Sequence, residues 1–215
     1  MKQPLGVILA GGLATRMGGV DKTLLTVGGQ SLLSRIIDRL EPQVAGLALN
    51  ANGDAARFAT GLPVLADSID GFAGPLAGVL AGLDWAADQG ADSIVTVAGD
   101  TPFFPCDLVP QLMLATEALP HPLALAATPR DDQGEGEALK SGGKLNRHPT
   151  FGLWPVALRD DLRAALEGGL RKVVAWTDGH GAGEAVFSAE PFDPFFNVNT
   201  PEDLARAEAI ASGAA

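Results

Sequence analysis

The chain has 215 residues, 47% of them hydrophobic, and a formal net charge of −11. That length and apolar share suit one core in a single domain over residues 1–215, with no linker or internal repeat to divide it. The acidic balance argues against polyanionic partners, whether nucleic acid or an anionic membrane surface, but allows a small anionic substrate where positive charge is gathered locally or a divalent cation is recruited. The chain has no apolar run long enough to span a membrane, which takes about 18 residues or more. The single Cys106 allows no internal disulfide, in keeping with a reducing, cytoplasmic setting. The stretch from Leu5 to Ala14 superficially resembles a secretory signal, but two glycines interrupt it and Arg16 follows closely.

In chain order, the first informative stretch is LGVILAGGLATRMGGVDK, from Leu5 to Lys22. Its uncharged start, Leu5 to Leu9, predicts a strand buried on both faces of a parallel sheet. Gly11 and Gly12 then let backbone N–H groups converge on an anion, and Gly18 and Gly19 repeat the device. Arg16 and Lys22 add a planar fork and a flexible point charge, together suited to a polyphosphate. The loop is not a Walker loop, because no GxxxxGK[ST] runs through it, and the chain has no GxGxxG.

Thr23 to Val27 reads as a brief extended segment before a Gly28-Gly29 turn, and Ser31 as the cap of a helix that Pro42 ends. Val44 to Leu49 predicts a strand with Asn50 and Asn52 at its carboxyl end, where ligands of open α/β sheets bind. The same two amides serve equally as turn residues before a helix over Asp54 to Ala59. A short strand, Pro63 to Ala66, ends at Asp67, and Pro75 opens a helix in which Leu76, Val79, Leu80 and Leu83 share a face. Gly74 and Gly78 there permit close approach of either a ligand or a neighbouring strand. Ser93 to Ala98 is a further buried strand, and the Asp100 after it either caps a turn or holds a divalent cation against nucleotide phosphates.

A helix over Asp107 to Leu119 and a strand over Leu123 to Ala127 follow. Arg130 to Arg147 is polar and glycine-rich, which predicts a mobile loop over 130–147, equally a lid or a plain insertion. Order resumes at Arg147-His148, followed by helices around Asp160 to Glu167 and Leu170 to Trp176; Arg171 and Lys172 read as a solvated face or a landing site for a substrate phosphate. Near the end, Thr200 caps a helix, with Pro201 in its first turn and Glu202 and Asp203 beside the helix dipole.

Taken as an ordered set, LAGGLATRMGGVDK, NAN, GPLAG, DTPFFP, HPTFGLW and NVNTPEDL resemble the molybdenum cofactor guanylyltransferases, within the Rossmann-like nucleotidyltransferases. The motifs run from Leu9 to Leu204 with the 130–147 loop as the main gap. The resemblance implies a three-layer α/β Rossmann-like fold with a mostly parallel central sheet. The reaction it implies is transfer of GMP from GTP to the terminal phosphate of molybdenum-bound molybdopterin, with release of pyrophosphate. It implies GTP binding by Leu9, Ala10, Gly11, Gly12, Lys22, Asn50, Asp67 and Asp100; catalysis by Arg16, Lys22 and Asp100; and Mg²⁺ held by Asp100. His148, Asn197 and Asn199 fall where the family meets its pterin substrate, and transient contact with molybdoenzymes or their chaperones would follow. Cytidylyl transfer to molybdopterin, sugar-1-phosphate nucleotidyl transfer and non-catalytic nucleotide binding stand as alternatives.

Overall fold

The computed structural model describes residues 2–11, 22–69, 71, 74–130 and 144–214. Seven strands form one sheet: β1 (Leu5–Leu9), β4 (Leu47–Asn50), β5 (Val64–Leu65), β6 (Ser93–Ala98), β7 (Ala124–Pro129), β8 (Leu145–Pro155) and β9 (Gly183–Val186). A separate two-stranded ribbon pairs β2 (Thr26–Val27) with β3 (Gln30–Ser31) across Gly28 and Gly29, which turn with φ of 58° and 76°. The main sheet has the order β5-β4-β1-β6-β8-β7-β9. Its ladders are parallel except where β8 runs antiparallel to both β6 and β7.

Among the described residues the helices are α1 (Leu32–Leu40), α2 (Pro75–Asp88), α3 (Leu108–Leu114), α4 (Arg159–Glu167), α5 (Val173–Gly179) and α6 (Pro201–Ala211). Alternation along β1 divides the layers. Ile8 joins Leu33 and Ile36 of α1 and Leu108 and Leu112 of α3 on one face. Leu5 and Val7 join Leu76, Leu80 and Leu83 of α2 and Leu162 of α4 on the other. A third cluster packs Ala207 of α6 against Val27, Leu32, Phe103 and Val198. The architecture is a three-layer Rossmann-like α/β fold whose central sheet is mostly parallel.

Several elements depart from the sequence reading. The helix expected over 107–119 stops at Leu114, because Thr116 donates both its N–H (3.1 Å) and its hydroxyl (2.8 Å) to the Met113 carbonyl, and Leu119 N–H turns back to Thr116. Residues 54–59 form only a 3-10 turn, Ala55–Phe58, closed by Ala59 at φ 50°. The predicted loop over 130–147 is too long at its far end: Leu145, Asn146 and Arg147 already belong to β8, paired with β7. Arg147 there donates to Glu184 and Asp178. The role of the loop itself, over 131–143, lies outside the described residues. The segment expected as a helix from Leu170 becomes helical only at Val173.

Candidate active site

The carboxyl ends of β1, β4 and β6 meet at one edge of the sheet. Gly99 N–H donates to the Leu9 carbonyl (2.9 Å) and Ala10 N–H to the Asn50 carbonyl (2.9 Å), so the start of the glycine loop lies between the two strands that carry Asn50 and Asp100. Gly11 faces the Asn50 amide, with the position of a Cβ 3.4 Å from its Oδ1. Leu9, Ala10, Gly11 and Lys22 are thus placed; Gly12 and Arg16 lie outside the described residues.

Asn50 is 3% exposed, and its Nδ2 donates to the Leu65 carbonyl (3.1 Å) and to Asp67 Oδ1 (3.0 Å). Asn52 closes the arrangement: its Nδ2 donates to Asp67 Oδ2 (2.8 Å), while its Oδ1 accepts from Asp67 N–H (3.0 Å). The two amides therefore do more than form a turn; they orient the Asp67 carboxylate from both oxygens. Gly78 of α2 makes this arrangement fit, because a Cβ there would stand 2.2 Å from Asn50 Oδ1. Gly78 thus packs closely on the neighbouring strands, against Asn50 of β4 and Leu9 of β1.

Asp100 follows β6 through Gly99, where a Cβ would lie 3.1 Å from the Leu9 carbonyl oxygen. Burial pushes its carboxyl above the usual carboxylate range, against the opposing pull of the Thr101 hydroxyl and the Lys22 charge. The Thr101 hydroxyl lies 3.2 Å from Asp100 Oδ1 and 2.7 Å from Asn197 Oδ1. Val198 N–H donates to the Asp100 carbonyl (2.8 Å), and Lys22 Nζ donates to Asn199 Oδ1 (2.7 Å). Lys22, Asp100, Asn197 and Asn199 thus converge.

The α6 cap contributes to that convergence. Thr200 Oγ1 accepts from Asp203 N–H (3.1 Å), and Asp203 Oδ2 accepts from the N–H groups of both Thr200 and Asn199 (2.9 Å each). Those N–H bonds hold the Asp203 carboxyl below its usual range. The Thr200 cap was legible from TPED, but the Asp203 carboxylate's hold on the Thr200 and Asn199 backbone was not.

A cleft of ≈ 420 Å³ opens beside Asn197, with His148, Asp193, Phe195, Phe196 and Arg206 in its lining. The His148 ring stacks on Phe195 with centroids 4.2 Å apart and planes 22° apart, and its Nε2 is 3.0 Å from Thr128 Oγ1. Burial pushes the His148 pKa down to about 4, with Asp193 opposing. An imidazole so placed is neutral at pH 7. The sequence reading missed Thr101, Phe195, Asp193 and Arg206; the run Asp193-Pro194-Phe195-Phe196 directly before Asn197 was the available signal for two of them.

Residues 6–182 match the model of the MobA-like NTP transferase domain. The chain is 50% identical over 211 residues to a molybdenum cofactor guanylyltransferase of Bradyrhizobium sp., covering 96% of this chain and 92% of that protein. It is 51% identical over 209 residues to a molybdenum cofactor guanylyltransferase of Rhodopseudomonas palustris, covering 95% and 92%. This chain belongs to the MobA-like family of nucleotidyltransferases. Among solved structures, it resembles molybdopterin-guanine dinucleotide biosynthesis protein A of Archaeoglobus fulgidus, with TM-score 0.68, 23% identity and coverage of 97% of this chain and 99% of that one. It also resembles 2-C-methyl-D-erythritol 4-phosphate cytidylyltransferase of Thermus thermophilus, with TM-score 0.68, 22% identity and coverage of 99% and 100%. At those identities the two structures speak for a shared fold. No helix among the described residues is long and apolar enough to cross a membrane.

Proposed function

We propose that this MobA-like enzyme transfers GMP from GTP to the terminal phosphate of molybdenum-bound molybdopterin, forming the guanine dinucleotide cofactor and releasing pyrophosphate. The observation that supports it most directly is the joint where Lys22 and Asp100, on the nucleotide side, meet Asn199 and Asn197, on the cleft side. Nucleotide and acceptor must meet at one phosphorus, and this is where the two halves of the site touch.

GTP lies along Leu9, Ala10, Gly11 and Gly12 with its base toward Asn50 and Asp67. The Asp67 carboxylate is held by two amides yet keeps lone pairs, and guanine offers adjacent N–H donors that a carboxylate accepts. The acceptor phosphate is already ionised and attacks the α-phosphorus directly, so no covalent enzyme intermediate is required. The demands on the protein are alignment of two mutually repelling anions and stabilisation of charge on the leaving pyrophosphate. Lys22 and Arg16 meet the second demand, and Asn197 and Asn199 the first. His148 contributes a neutral face to the pterin.

Asp100 fits a divalent cation, and Mg²⁺ in particular: it is a hard oxygen donor, buried, with its ionised form disfavoured until positive charge is supplied. No group of three or more His, Cys, Asp or Glu side chains that could hold a metal occurs among the described residues. Mg²⁺ commonly takes one or two carboxylates and completes its shell with substrate phosphates and water. When bound, it would supply charge neutralisation at the transferred and leaving phosphates. A cytoplasmic site of action and passing contacts with molybdoenzymes or their chaperones accord with this role.

The test is pyrophosphate release from GTP and from CTP, each with Mg²⁺, with and without molybdenum-loaded molybdopterin. Release with GTP only when the pterin is present supports the proposal. Release with CTP in its place would overturn the base assignment, and release with neither would remove the reaction.

A further inference from the structure

The cleft beside Asn197 carries two charged side chains of opposite sign, Asp193 and Arg206, that the reaction as described does not use. Arg206 is exposed on α6, with its guanidinium carbon 4.7 Å from the centroid of the Phe196 ring. Such a cation–π contact fixes the plane of the group while leaving its N–H edge available. Its charge is felt by Asp203, but that carboxylate already accepts from Asn199 and Thr200, and Arg206 makes no hydrogen bond to the described residues. Asp193 is held by one oxygen, which accepts from Phe195 N–H (2.9 Å), and its other oxygen has no hydrogen bond to the described residues. His148 and Phe195, stacked on one another, line the same cleft.

The order of these groups is chemically directional. Arg206 rests on Phe196, the neighbour of Asn197, and Asn197 leads through Thr101 to Asp100. Asp193 sits earlier in the same segment, close enough to His148 for its charge to act on the ring. A pterin has the complementary polarity. Its aminopyrimidinone edge presents an N–H and an amino group side by side, its ring is flat, and its far end here bears a phosphate dianion. We propose that Asp193 and Arg206 orient the acceptor in this cleft, Asp193 accepting from the aminopyrimidinone edge and Arg206 gripping the terminal phosphate on the side nearest Asp100. A carboxylate facing paired donors and a guanidinium facing phosphate are both bidentate matches. In a chain of net charge −11, a fixed cation at that end also offsets the field that would otherwise repel the acceptor.

The inference rests on molybdopterin being the acceptor, and its experiment separates the two. Arg206→Gln, Arg206→Lys and Asp193→Asn are compared with wild type for acceptor KM, GTP KM and kcat, and for binding of 6-hydroxymethylpterin followed by its fluorescence. Asp193→Asn keeps the oxygen that accepts from Phe195, so the segment keeps its anchor, and unchanged melting temperatures verify folding. Loss of one charged, bidentate contact predicts an acceptor KM raised ~10-fold or more in Arg206→Gln and Asp193→Asn, with GTP KM little changed. Arg206→Lys recovers part of the loss. The phosphate-free probe binds Arg206→Gln as it binds wild type and binds Asp193→Asn more weakly. An unchanged acceptor KM, or an equal rise in the KM for GTP, would overturn the assignment of the residue concerned. Absence of turnover in wild type would instead sink the guanylyltransferase reading, and the fluorescence titration, which needs no turnover, would still decide Asp193.

Discussion

The two sides of the site differ in what holds their polar groups. On the nucleotide side, Asn50, Asn52 and Asp67 satisfy one another through short hydrogen bonds within the protein, and Gly78 gives up its side chain to make room. On the cleft side, among the described residues, Asp193 is hydrogen-bonded through one oxygen, and Arg206 rests on an aromatic ring without a hydrogen bond. Polar groups that already satisfy one another lose little entropy when a ligand arrives, whereas groups without hydrogen-bond partners gain them from the ligand. The joint between the sides, Lys22 with Asn199 and Asp100 with Thr101 and Asn197, is where substitution should cost most.

Asp100→Ala should lower turnover by ~10³-fold or more, through loss of the group proposed to hold the divalent cation, with little change in melting temperature. Pyrophosphate release at saturating GTP checks it, and retained activity would remove Asp100 from that role. Lys22→Ala should reduce the rate by ~10²-fold and weaken GTP binding as well, since a donor aimed at developing charge is lost together with the tie to Asn199. A rise in GTP KM without a fall in kcat would leave Lys22 as a binding group alone.

The cleft side can be set apart by pH. His148 has a folded-state pKa near 4 against an ordinary 6.5, so between those values the unfolded chain takes up a proton that the folded chain excludes. Stability from this group is complete above pH 6.5 and is lost as pH falls toward 4, by about 2 kcal/mol between pH 7.5 and 5. Urea denaturation at the two pH values should show that difference shrink in His148→Asn; an identical acid response in the variant would remove His148 as its source.

The smallest effect sharpens the nucleotide side. Alanine ordinarily stabilises a helix relative to glycine by about 1 kcal/mol, yet Gly78→Ala should destabilise by about 1–3 kcal/mol because its Cβ meets Asn50. It should raise GTP KM too. Gly82→Ala, whose Cβ would meet Ile94 and Val7 in the core, should lower stability and leave GTP KM unchanged. Equal GTP KM in both variants would separate Asn50 from nucleotide binding.

Much of the nucleotide side was legible in the chain. An uncharged run followed by glycines marks β1 and its loop, and NAN, Asp67 and DTP each fall at a strand end, where the parallel register of β4, β1 and β6 brings them together. The cleft side was less so. β8 enters antiparallel between β6 and β7, with its register shifting opposite Leu125 and Ala126, and no periodicity announces that reversal. Asp193 and Arg206 are ordinary surface charges by sequence and gain meaning only from the rings beside them.

By itself, the sequence determined the layered α/β class, the helix caps and the family, because hydrophobic period and capping chemistry are local properties. Only the tertiary structure decided that Lys22 reaches Asn199 across 177 residues and that Thr101 reaches Asn197 across 96. Those contacts depend on where α6 packs against the β2–β3 ribbon, and so on the shape of the whole core rather than on any one segment.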